Sequence, residues 1–168
     1  MLILSIGSNL GNREANLNNA IQALEEKFGK PVALSSIYVT EPWGVINQQD
    51  YFNQIVAYHT PDVLPEQILD ITQQIECDLG RERTTKWAAR TIDIDILMLS
   101  ECVWQSERLI IPHPLLCNRL FVLKPLAEIL PHFLHPVHKK KVVDLLAECR
   151  DKSNIQTLTQ FTKSINTP

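Results

Sequence analysis

The order of hydrophobic periods along the first hundred residues restricts the folds open to this chain more than any other feature. Met1 to Ile6 reads as a short buried strand. From Arg13 to Phe28 the apolar residues Leu17, Ala20, Ile21, Leu24 and Phe28 recur at helical spacing, which predicts an amphipathic helix. Asn12 is placed to cap it, and Gly29 with Pro31 to stop it. Val32 to Thr40 and Tyr51 to Thr60 return to strand character. Pro65 to Leu79 carries a second helical face (Ile68, Leu69, Ile71, Thr72, Ile75) that ends at Gly80, and the stretch RTIDIDIL, Arg90 to Leu97, is a further strand. Strand, helix, strand, strand, helix, strand is the order of a split unit whose helices cover one face of a mainly antiparallel sheet.

The expected class is therefore α+β, a ferredoxin-like sandwich. With 168 residues the chain is the size of one domain, taken as residues 1–150. A proline-punctuated segment with a short helix after Asn118, and a helix over Val142 to Cys149, follow the split unit. From about Asp151 the hydrophobic signal fades, and 151–168 is expected to be a frayed tail. The formal net charge of -3 argues against a surface that holds long nucleic acid. The apolar start MLILSIGSNLG has no basic leader and is too short for a signal sequence or a membrane span, so the expected location is the cytoplasm. Cys77, Cys102, Cys117 and Cys149 form no CxxC pair, and reduced, structural thiols are expected.

Aspartate is among the poorest strand formers, yet RTIDIDIL alternates it with isoleucine. Alternation puts Asp93 and Asp95 on one face, about 7 Å apart at about 3.3 Å per residue, and Ile92, Ile94 and Ile96 on the other. Two such carboxylates can serve one cluster of Mg²⁺ ions. They can equally be a solvated face that protects a sheet edge. The preceding loop RERTTKWAAR favours the metal reading. Arg81, Arg83, Lys86 and Arg90 face only Glu82 as local counter-charge, and a cationic loop beside paired acids suits a polyphosphate with its metal. Trp87 could stack on a base or simply anchor the loop. No GxxxxGK[ST] is present, and GSNLGN reads as a tight turn and helix entry.

Five blocks in order, IGSNLGN, YVTEPWGVINQQDYFNQIV, QQIECDLGRER, WAARTIDIDIL and ERLIIPHPLLCNRLFVLKPL, resemble the 6-hydroxymethyl-7,8-dihydropterin pyrophosphokinase family from Leu2 to about Pro131. The resemblance implies transfer of diphosphate from ATP to a pterin alcohol in folate biosynthesis. It implies that Asp93 and Asp95 bind two Mg²⁺ ions and that Arg83 and Arg90 act with them in catalysis. It places Gln73, Glu76, Arg83, Trp87, Arg90, Ile96, Arg108, His113 and Arg119 along the ATP site. His113 would be held in its charged form by phosphate. For the pterin it implies Tyr51 and Phe121 as the enclosing rings and Asn53 as the reader of the polar edge, with Thr40, Pro42 and Trp43 around them. The chain departs from the family at Lys86, at Ala88-Ala89 and at Ile110.

The implied step is attack of the pterin hydroxymethyl oxygen on the β-phosphorus, with AMP leaving. The loops 44–50 and 81–90 are expected to close over the substrates, and a monomer is expected. Two other classes share some of these features: a ferredoxin-like nucleic-acid reader using Tyr51, Phe52 and Trp87, and a metal-dependent phosphohydrolase. His132, His135 and His138 lie between Pro131 and the lysines 139–141; their segment reads as a solvated connector and is given no function.

Overall fold

The computed structural model describes residues 1–41, 48–81 and 89–159. The split unit is built of β1 (Leu2–Ser8), α1 (Arg13–Phe28), β2 (Ala33–Leu34), β3 (Tyr38–Thr40), β4 (Tyr51–Tyr58), α2 (Pro65–Asp78) and β5 (Asp93–Leu99). A hairpin of β6 (Trp104–Gln105) and β7 (Ile110–Ile111) follows, then a 3-10 turn at Leu116–Asn118, α3 (Leu120–Ile129), α4 (Val142–Glu148) and β8 (Ile155–Thr157). The main sheet is antiparallel in the order β5-β1-β4-β3-β8, and β2 also pairs with β4.

Local signals set the two helices of the unit. Asn12 Oδ1 accepts the Ala15 N–H at 3.1 Å, satisfying one of the free amides of the first turn. Gly29, at φ +78°, ends α1 in a conformation that glycine adopts without steric cost. Pro65 opens α2, where the Gln67 side chain accepts the Leu64 N–H at 2.8 Å.

The expected strand over Val32 to Thr40 is interrupted. Ser35 Oγ takes the Ile55 N–H, while Ser36 turns its own N–H and hydroxyl to Glu128 of α3. Side-chain bonds thus replace part of the ladder and divide β2 from β3.

Hydrophobic residues fill both faces of the sheet. Leu4, Ile6, Val56, Ile92, Ile94 and Ile96 pack with Leu17 and Leu24 of α1 and Ile68 and Ile75 of α2. On the other face Ile3, Ile55, Leu97 and Met98 pack with Leu123 and Leu126 of α3 and Val142 and Leu145 of α4. The two helices of the split unit therefore cover one face, as expected, and α3 and α4, which follow it, add a second layer on the other. Burial on both sides explains why β1 and the end of β5 read as nearly continuous apolar runs. Of the segment expected to fray, residues 151–159 are described, and there Ile155–Thr157 pairs with β3 and Asp151 Oδ2 accepts the Leu120 N–H at the start of α3 at 2.9 Å.

Candidate active site

The face covered by α3 and α4 becomes small and polar toward the end of β1. Ile3 is followed on that face by Ser5 and Gly7, which stand opposite Asp95 and Asp93 on β5 and, for Gly7, opposite Asn53 on β4. With no bulky side chain on the central strand, a cavity of about 370 Å³ opens between β5 and β4. Its acidic wall carries Asp93, Asp95 and Arg90. Thr40, Tyr51 and Asn53 form the facing wall, and Leu115, Asn118, Arg119 and Phe121 close it from the turn and α3.

Charge is concentrated at Asp93. Its Oδ1 pairs with Arg81 Nη1 and its Oδ2 with Arg90 Nη1, each at 2.6 Å. Arg81 also pairs with Glu76, whose Oε1 accepts the Ile94 N–H at 2.6 Å. Burial lifts the Glu76 pKa to about 7, against the lowering effects of the Ile94 bond and Arg81. Burial, with Asp93 beside it, also raises the Asp95 pKa, although Arg119, Arg81 and Arg90 oppose the rise. A divalent cation would relieve that cost, and hard carboxylate oxygens suit Mg²⁺, so the two residues fit the metal.

On the facing wall Asn53 is buried, and its Nδ2 donates to Thr40 Oγ1 at 2.9 Å. Its carboxamide is therefore fixed before any ligand arrives, with the oxygen turned to Gly7. The Arg119 guanidinium lies 5.6 Å from the centre of the Phe121 ring.

Of the residues expected at a site, Thr40, Tyr51, Asn53, Arg90, Asp93, Asp95, Arg119 and Phe121 share this cavity. Pro42, Trp43, Arg83 and Trp87 lie outside the described residues, as does most of both loops expected to close. The rest are arranged around it. Glu76 supports Arg81 and β5 from α2. Gln73 is half-buried on α2, and Arg108 is exposed and paired with Asp70 and Glu66 of the same helix. Ile96 is 4 % exposed in the core on the opposite face of β5 from the aspartates, so its side chain is not available to a ligand. His113 Nδ1 accepts the Leu115 N–H at 3.1 Å; burial, then Arg119, lowers its pKa to about 4. The charged imidazole expected there is thus a neutral one in the ligand-free protein.

Two residues emerge that the sequence did not single out. Arg81 was read only as loop charge, and nothing local shows that it joins α2 to Asp93. Asn9, read as part of a turn, is 1 % exposed. Its Oδ1 accepts the Arg90 N–H at 2.8 Å, its N–H donates to the Arg90 carbonyl, and its Nδ2 donates to Gln48 Oε1 at 3.0 Å. Asn9 thereby ties together the ends of two loops that flank the cavity.

Acids and arginines on one wall, with aromatic rings and a fixed carboxamide on the other, define an α+β enzyme suited to a polyphosphate beside a flat polar ring. A family model described as 7,8-dihydro-6-hydroxymethylpterin-pyrophosphokinase (HPPK) matches residues 3–131. The chain is 43% identical over 127 residues to the 2-amino-4-hydroxy-6-hydroxymethyldihydropteridine pyrophosphokinase of Bacillus subtilis (strain 168), covering 75% of each chain. It is 36% identical over 145 residues to that of Aquifex aeolicus (strain VF5), covering 86% of this chain and 89% of the other. Among solved structures, Plasmodium falciparum HPPK-DHPS with pteroate superposes with a TM-score of 0.69 at 15% identity, over 88% of this chain and 44% of that one, a likeness of fold. This chain belongs to the 7,8-dihydro-6-hydroxymethylpterin-pyrophosphokinase family, whose members are ATP-using pyrophosphokinases of folate biosynthesis.

Proposed function

We propose that the chain transfers diphosphate from ATP to 6-hydroxymethyl-7,8-dihydropterin, releasing AMP, with Asp93 and Asp95 holding two Mg²⁺ ions. The observation that carries this reading is the single cavity in which the paired acids and arginines face Tyr51, Asn53 and Phe121.

The pterin lies between the Tyr51 and Phe121 rings, a flat heterocycle gaining from aromatic faces. Asn53, locked by Thr40, presents a fixed carboxamide to the polar edge, so little ordering remains to be done on binding. The triphosphate lies along the Asp93 wall, where Arg90 takes its oxygens and Arg119 adds charge at the mouth of α3; the family resemblance assigns Arg83, outside the described residues, to the same oxygens. Arg81 supports Asp93 from beneath. Bound at the two aspartates, Mg²⁺ supplies neutralisation of the attacking and leaving oxygens. The arginines stabilise charge that grows on the transferred group and on AMP. Catalysis here is chiefly positioning and electrostatics, as in other phosphoryl-type transfers. The proposed working unit is a monomer.

An assay for AMP with ATP, Mg²⁺ and the pterin, run beside Asp95→Ala, tests the reading. Pterin-dependent AMP from the native protein and its loss in the variant are expected. Phosphate released without pterin would replace this reading with a phosphohydrolase.

A further inference from the structure

Two histidines and a cysteine that the reaction does not use meet outside the cavity. Cys117 belongs to the 3-10 turn Leu116–Asn118, and His135 and His138 to the connector between α3 and α4. One ligand-capable atom from each lies within 4.8 Å of the other two. The rings of His135 and His138 are 4.6 Å apart between centres. We propose that Cys117, His135 and His138 form a binding site for a zinc-type divalent cation, separate from the aspartate pair.

The donor set is the first reason. One sulfur and two imidazoles suit a borderline-soft ion, whereas the oxygen-only pair at Asp93 and Asp95 suits a hard one. Zinc bonds of about 2.3 Å to sulfur and about 2.0–2.1 Å to nitrogen put tetrahedral ligand atoms roughly 3.3–3.6 Å apart. Closing from 4.8 Å is a side-chain adjustment, and exposed His138 is free to make it.

The connector supplies the second reason, because it is folded where a solvated segment was expected. His135 is 3 % exposed. Its N–H donates to Lys140 O and its carbonyl accepts the Lys139 N–H, both at 2.9 Å, and Leu134 bridges Lys141.

Binding has an identifiable cost. The Cys117 thiol, whose pKa burial raises, must release its proton as the metal–sulfur bond forms. His135 Nδ1 accepts the N–H groups of Val137 and His138, both at 3.2 Å. Coordination through Nε2 moves the ring proton to Nδ1, and coordination through Nδ1 uses its lone pair; either way these bonds are given up, so the site is weaker than a closed structural zinc site, and binding disturbs those two amides. A bound ion would join the connector to the turn that carries Asn118 and Arg119, two residues of the cavity wall.

Cobalt(II) is the probe, followed by absorption and by amide exchange on the full chain. The expected result is one saturable equivalent with a sulfur-to-cobalt charge-transfer band, displaced by zinc, and altered exchange at Val137 and His138. Cys117→Ser should abolish the band, and His138→Ala, at an exposed position, should weaken binding at least tenfold with an unchanged melting temperature. Asp93→Ala should leave the band unchanged, which separates this site from the proposed catalytic metals. Absence of saturable binding, or a band that survives Cys117→Ser, would overturn the assignment.

Discussion

Gly7 faces the Asn53 carboxamide across one strand pair, and a Cβ placed there would stand 3.1 Å from Asn53 Oδ1. That is tighter than an ordinary contact, and Asn53 is already tied to Thr40 on its other side. Gly7→Ala should therefore tilt the carboxamide away from its ligand. Loss of about one hydrogen bond, about 1–1.5 kcal/mol, predicts a KM for the pterin raised roughly tenfold, with kcat and the KM for ATP little changed. Steady-state kinetics with each substrate varied in turn checks it; an unchanged pterin KM would mean that Asn53 does not read the ring. His113 supplies a pH dependence. Its folded pKa of about 4 lies below the ordinary 6.5, so the unfolded chain binds its proton first as pH falls. The associated stability is present above pH 6.5 and is lost progressively toward pH 4. NMR titration of the ligand-free imidazole should give a midpoint near 4, and His113→Asn, which can still accept the Leu115 N–H, should flatten the acid limb of the unfolding curve.

The start of α3 is where helix and site meet. Arg119 is its N-cap and Phe121 its second residue, so the position of two cavity side chains depends on how that end is held. No cap side chain of Arg119 does this; Asp151 takes the Leu120 N–H instead, and Lys124 reaches the Ile155 carbonyl. A carboxylate at a helix N-terminus also complements the helix dipole. Asp151→Ala should cost about 1 kcal/mol in urea unfolding, with a smaller rise in the KM of both substrates. If stability is unchanged while the edge strand remains paired, the cap is not what holds α3. The same contacts order the described part of the segment after Asp151. Of its three strand residues only Ile155 is apolar, too little for a periodic signal, and their order comes from an open edge of β3 that a local reading does not contain.

In the folded chain, substrate binding and stability are linked through a cavity between the sheet and the start of α3. A ligand that binds only the native state stabilises it by about 2.7 kcal/mol at a concentration of 100 Kd. At that concentration a non-transferable ATP analogue with Mg²⁺ should thus raise the melting temperature of the native chain by about 5–11 °C, at about 2–4 °C per kcal/mol for a chain of this size. Asp95→Ala should remove most of the shift. An equal shift in the variant would detach the metal pair from nucleotide binding.

How much of this was readable in advance follows from the range of the forces involved. The 3.6-residue repeat of Leu17, Ala20 and Leu24, the cap at Asn12 and the stop at Gly29 act within a few residues, and α1 has the expected bounds. Alternation is likewise local, and by itself it put Asp93 and Asp95 on the face opposite Ile92, Ile94 and Ile96, where they stand. By itself, then, the amino-acid order determined the periods of the helices and strands, their succession, and which side chains share a face. Only the tertiary structure decided that Ser36 would break a strand by turning to Glu128, that α3 and α4 would cover the second face, that Asn9 would hold Arg90, and that Arg81 would join Glu76 to Asp93. Each of these contacts joins segments whose approach depends on closing the sheet, and neither a period nor a propensity encodes a partner that arrives from elsewhere in the chain.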